Sequence, residues 1–101
     1  MRTRTVIVLD ERRERRAEVR FMLRASEDLD VIAETAEVDQ ALNLARVMHP
    51  DAVLVAEDLE GTVEEVAEGL TEQDTPAPVV SIGDDLSGLV ERLRRVLRRR
   101  D

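Results

Sequence analysis

Apolar and polar residues follow two rhythms along this chain, and the rhythms exchange repeatedly from one end to the other. Thr5-Val-Ile-Val-Leu9, Ala52-Val-Leu-Val-Ala56 and Val79-Val-Ser-Ile82 are short apolar runs rich in β-branched residues, the mark of strands buried on both faces. Val31-Ile-Ala33 supplies a weaker run of the same kind. Between these runs apolar residues return near helical spacing. From Arg12 to Ala25, Val19, Met22, Leu23 and Ala25 recur amid Arg and Glu, with Ala17 and Phe21 alongside, which predicts an amphipathic helix. Ala41, Leu42, Leu44, Ala45 and Met48 predict a second, which must stop near His49 because Pro50 disfavours helical geometry in the residue before it. Val63, Val66, Ala67 and Leu70 predict a third, ended by Thr75-Pro-Ala-Pro78. A last helix carries Leu86, Leu89, Val90, Leu93, Val96 and Leu97 on one face, with Asp84 or Asp85 as its cap.

The order is strand then helix, four times over, with connections short enough only for local crossovers. That alternation implies an α/β fold with a parallel sheet between layers of helices. The 101 residues suit one domain spanning 1–101, without repeat or linker. No apolar run approaches the roughly 18 residues of a membrane span, and Met1 to Thr5 open directly onto a strand instead of a leader. A cytoplasmic protein is the expectation. In open parallel sheets ligands bind beyond the carboxyl ends of the strands, which directs attention to the residues just after Leu9, Ala56 and Ile82.

Composition narrows the chemistry. There is no Cys, Trp, Tyr or Lys, and His49 is the single histidine, so thiol nucleophiles, Cys-ligated zinc and lysine Schiff bases are excluded. Gly61, Gly69, Gly83 and Gly88 form no phosphate loop, and no motif joins His49 to Ser26, Ser81 or Ser87 as a triad. The chain is not expected to be an enzyme. All 15 basic residues are Arg, a bias that suggests a GC-rich bacterial genome. The formal charge of −8 conceals three blocks: +4 over residues 1–26, −16 over 27–85 and +4 over 86–101. Basic ends therefore flank an acidic middle, which bears on partners more than the total does.

At the strand ends the residues take on a family likeness. Val6-Ile-Val-Leu-Asp10-Glu11, Ser26-Glu-Asp-Leu-Asp-Val-Ile-Ala-Glu34, Asp39-Gln-Ala-Leu-Asn-Leu-Ala-Arg46 and His49-Pro-Asp-Ala-Val-Leu-Val55 together resemble the first half of a receiver domain of two-component response regulators, with the flavour of the NarL type. The resemblance covers residues 4 to about 61 and rests on the linked spacing of three strands and two helices. It implies a flavodoxin-like, receiver-like sheet in the order 2-1-3-4 with helices on both faces. Because the chain passes from Ile82 almost directly into a last helix, the family's fourth helix and fifth strand are missing.

The resemblance also implies a site. Receivers place an acidic pair after the first strand, a phosphoacceptor Asp at the end of the third, a hydroxyl residue at the end of the fourth and a Lys at the end of the fifth. Carboxylates there hold Mg²⁺, which neutralises charge on an acyl phosphate. Asp10 and Glu11 match the acidic pair, the acceptor position falls on Ala56, the hydroxyl position falls on Gly83, and the Lys is absent. This pattern implies a degenerate, shortened pseudo-receiver acting as a signalling and protein-interaction module. No cofactor is expected, Mg²⁺ at Asp10 and Glu11 being the one metal the resemblance would supply. Alternatives are phosphorylation at a displaced acid, Asp58 or Glu57, a receiver-like module beside an ATPase of the TadZ type, and a basic-faced nucleic-acid binder using the Arg92 to Arg100 cluster. The −16 block argues against nucleic acid. The partner expected is a protein, a second copy before others, meeting an uncharged edge at Val79, Val80 and Ile82 or the basic helix at Arg92, Arg95 and Arg99. No small-molecule substrate is implied. If the last helix keeps its family position, one face of the sheet should be basic and the other acidic.

Overall fold

The apolar runs become a sheet because each lacks a polar face: only a position between two helix layers buries both sides of Val6–Leu9 or Ala52–Ala56. The computed structural model describes residues 3–57, 61–83 and 85–99. Its elements are β1 (Arg4–Leu9), α1 (Arg13–Arg24), β2 (Leu29–Thr35), α2 (Val38–Met48), β3 (Ala52–Ala56), α3 (Thr62–Glu72), β4 (Val79–Ile82) and α4 (Leu89–Arg99). All strand pairs are parallel and the order is β2-β1-β3-β4, as the resemblance implies. Between Ile82 and Leu89 no further helix or strand intervenes among the described residues. Among the described residues, no helix is long and apolar enough to cross a membrane.

Alternation along each strand divides the core in two. Val6, Val8, Ala52, Leu54, Val80 and Ile82 face α1 and α4, meeting Val19 and Leu23 on one and Leu89, Leu93 and Leu97 on the other. Ile7, Leu9, Val53 and Val55 face α2 and α3, meeting Ala41, Ala45, Val66 and Leu70. The terminal helix thus shares a layer with the first. Arg94 reinforces this position, because its Nε and Nη2 donate to the two carboxylate oxygens of Asp28 at 3.1 and 2.9 Å. In the other layer, a Cβ on Gly69 would lie 2.6 Å from Leu42 Cδ1, so glycine permits the close approach of α3 to α2. Below the sheet, Asp51 accepts from the Thr5 amide at 2.7 Å and returns its own amide to the Thr5 carbonyl at 2.8 Å, pinning the start of β3 to β1.

Several expectations need correction. β2 is longer than Val31–Ala33, because pairing with β1 extends it from Leu29 to Thr35, with a register shift between Val6 and Ile7. Phe21 does not join the core. It is 79% exposed, since Val19 and Leu23 face the sheet and a residue two positions from each lies on the opposite side of the helix. Met48 is also exposed, as is its neighbour Val47. The last helix begins at Leu89, with Leu86 in the preceding turn, where its carbonyl accepts from the Leu89 amide at 3.2 Å. Asp85 caps that turn, accepting from the Ser87 amide at 2.9 Å. Gly88, at φ 78°, reverses the chain into the helix. Asp84 lies outside the described residues. His49 ends α2 in the left-handed region at φ 49°.

Val80 and Ile82 do not lose their cover. α4 lies across them and both are buried. What β4 leaves at the edge is backbone, because Pro78 and Ile82 turn their carbonyls to β3 and parallel alternation sends those of Val79 and Ser81 outward. One of these outward groups is protected: Arg92 Nη2 reaches back from α4 to the Ser81 carbonyl at 3.0 Å. The apolar side of α4 is likewise engaged, with Leu89, Leu93 and Leu97 buried on the sheet.

Candidate functional site

A cleft of about 410 Å³ opens beyond the carboxyl ends of β1 and β3, lined in part by Asp10, Glu11, Glu37, Asp39, Ala56 and Glu65. It occupies the position where open parallel sheets bind ligands. Its walls are built locally. The Asp10 amide donates to the Thr35 carbonyl at 3.0 Å, which joins the two strand ends. The Thr35 hydroxyl bonds Gln40 Oε1 and accepts from the Glu37 amide at 3.1 Å, and this turn sets the first residues of α2 beside the opening.

Asp10 is buried, and its carboxylate is already engaged. Arg15, on the first turns of α1, donates Nε to Oδ2 at 2.5 Å and Nη2 to Oδ1 at 3.2 Å. The Arg12 amide donates to Oδ1 at 2.8 Å, and Arg16 Nη1 reaches the Asp10 carbonyl at 2.7 Å. Arg15 is only 7% exposed, so both members of the ion pair lie inside the protein. Helix geometry places it there: Arg15, Val19 and Leu23 are spaced i, i+4, i+8 and form the buried side of α1.

Of the other expected site residues, Glu11 and Ala56 share the cleft with Asp10, whereas Glu57 and Gly83 do not line it. Glu11 follows Asp10 on the cleft rim and is exposed. Ala56 ends β3 and lines the cleft with a methyl group. Glu57 is exposed outside the lining, its amide donating to the Ile82 carbonyl at 3.2 Å, while Asp58 lies outside the described residues. Gly83 does not line the cleft, and a Cβ built on it would meet nothing within 4 Å. Thr62 and Glu65 of α3, which the sequence did not single out, complete the wall facing Ala56. Arg95 and Arg99 stand exposed on α4.

The solved structures most informative for this arrangement are receivers. The receiver domain of the response regulator NarL from Mycobacterium tuberculosis superposes with a TM-score of 0.75 at 24% identity, over 94% of this chain and 78% of that one. The response regulator domain of Thermotoga maritima CheB gives 0.72 at 17% identity, over 92% and 72%. A receiver domain of a modulated diguanylate cyclase from Desulfovibrio desulfuricans G20 gives 0.63 at 24%, over 92% and 75%. The chain has the receiver fold. No protein-family model matches its sequence, and no curated protein does.

Within that fold, the residues present do not fit the divalent cation that the resemblance implies. Both oxygens of Asp10 accept from Arg15, Ala56 offers no side-chain oxygen, and among the described residues no three His, Asp or Glu side chains group as metal ligands. A guanidinium in the acidic corner neutralises the same carboxylate that a cation would need. The hydrogen bond from Arg94 holds the Asp28 carboxyl below its usual value and raises the Arg94 guanidinium in turn. The Ser87 amide lowers Asp85 in the same sense.

Proposed function

We propose that this chain is a non-phosphorylatable receiver module, without enzymatic activity, that signals through protein contacts. One observation carries the reading: the corner that would perform phosphotransfer contains a methyl group at Ala56 and an Asp10 carboxylate bound by Arg15. Acyl phosphate formation needs a carboxylate nucleophile and cationic groups that take up charge on the phosphoryl oxygens. Ala56 supplies no nucleophile. The sequence has no Lys, and Arg15 is already committed to Asp10. Glu57 is a poor substitute acceptor, because it lies outside the cleft lining and is exposed.

What the fold retains is a layered platform with exposed helical faces. Incubation of the full chain with acetyl phosphate and Mg²⁺, followed by intact mass measurement, is expected to leave the mass unchanged. Stable addition of one phosphoryl group mapped to Glu57 or Asp58 would overturn the proposal and support a displaced acceptor.

A further inference from the structure

The fold turns the uneven charge along the sequence into two opposed surfaces. The layer formed by α1 and α4 carries Arg13, Arg16, Arg20 and Arg24 with Arg92, Arg94, Arg95, Arg98 and Arg99, against Glu14, Glu18 and Glu91. The layer formed by α2 and α3 carries Asp39, Glu64, Glu65, Glu68 and Glu72 against Arg46 alone. Among the described residues, Asp10, Asp28, Glu34, Asp51 and Glu91 pair with Arg4 or with Arg of α1 or α4. The acids of α2 and α3 form no such pair among them.

Two stripes concentrate these charges. Glu64, Glu68 and Glu72 are exposed and follow one line of α3 at i, i+4, i+8, spanning about 12 Å. Arg92, Arg95 and Arg99 follow one line of α4 at i, i+3, i+7 and are also exposed, spanning about 10 Å. Like charges at such spacings weaken an isolated helix. Within one molecule the stripes cannot relieve each other, because two helices and the sheet separate their outer faces by on the order of 20 Å, beyond the Debye length of about 8 Å at physiological salt.

We infer that the acidic α3 stripe of one molecule docks on the basic α4 stripe of a second copy of this chain. The two stripes match in length and oppose in sign, and only an intermolecular contact brings them together. The contact is heterologous, since basic on basic and acidic on acidic both repel, so an associated pair keeps one free acidic face and one free basic face and association is open-ended instead of closing at a dimer. Net repulsion from the charge of −8 opposes this contact, which therefore appears only at high protein concentration. The inference rests on the reading of the chain as an interaction module and names its partner.

Sedimentation velocity of the full chain tests it. At about 50 mM NaCl the sedimentation coefficient is expected to rise with concentration, and at about 300 mM NaCl the apparent dissociation constant is expected to weaken on the order of tenfold. Glu64→Arg with Glu68→Arg, or Arg95→Glu with Arg99→Glu, should each abolish the rise while circular dichroism stays unchanged. Mixing those two variants should restore association, because the first keeps its basic α4 stripe and the second keeps its acidic α3 stripe. A wild-type chain that stays monomeric at low salt overturns the pairing, as does association that survives both charge reversals. Monomer that binds short duplex DNA through Arg95 and Arg99 overturns it in favour of nucleic acid. Because phosphotransfer is judged separately by intact mass, none of these failures is confused with failure of the module reading.

Discussion

Arg15 is buried against Asp10, with Nε 2.5 Å from one carboxylate oxygen and Nη2 3.2 Å from the other. Removing one partner of a buried pair leaves an uncompensated charge. Arg15→Met is therefore expected to lower stability by about 3–5 kcal/mol, and Asp10→Leu together with Arg15→Met to recover much of that loss. Urea denaturation of the three proteins measures both effects, and a single variant as stable as wild type would remove the ion pair from the account of this corner. His49 offers a residue-scale test in the other direction. Its backbone sits at φ 49° where α2 ends, a conformation that glycine adopts without steric cost. His49→Gly is expected to raise stability by about 0.5–1 kcal/mol in the same assay. Arg15 shows why part of the site was hidden in the sequence. Arg is ordinarily a surface residue, and only its place in line with Val19 and Leu23 signalled that it faces inward.

At the scale of elements, the strands were legible where they lacked a polar face. Ala52–Ala56 and Val79–Ile82 occupy the expected positions, because a continuous apolar run has no other stable place. β2 was less legible, since Leu29, Asp30, Glu34 and Thr35 show no pattern of their own and are strand only through pairing with β1. The start of α4 was obscured for a different reason: Leu86 fits the helical spacing, but Gly88 reverses the backbone before the helix begins. α4 should depend most on its buried stripe. Leu93 is fully buried, and Leu93→Ala is expected to cost about 2–5 kcal/mol by urea denaturation. The Asp28 to Arg94 contact supplies a pH-dependent link between α4 and the turn before β2. Asp28 is held below its usual value of 3.8, so its stabilising contribution is present above that value and is lost as pH falls through the lower, folded-state value. Acid unfolding of wild type and Asp28→Asn should therefore show a stability difference at neutral pH that closes at strongly acidic pH. A difference that stays constant with pH would contradict this assignment.

For the whole molecule, the receiver topology and its two charged faces follow from one fact, that α1 and α4 share a layer while α2 and α3 share the other. The blocks of charge were readable along the sequence, but their opposition in space depended on the placement of α4, which the core leucines and Asp28 determine. The same topology places Ala56, Asp10 and Glu11 around one cleft, where Arg15 occupies the acidic side. The most direct test of a receiver fold released from metal-dependent phosphotransfer is an amide NMR titration of the ¹⁵N-labelled chain with Mg²⁺, alone and with acetyl phosphate. The expected result is no saturable movement of the amides of Leu9 to Arg12 or of Ala56 and Glu57 at millimolar Mg²⁺. Saturable shifts confined to those residues, enlarged by acetyl phosphate, would show that the cleft takes up a cation and a phosphoryl group and would contradict the proposed function.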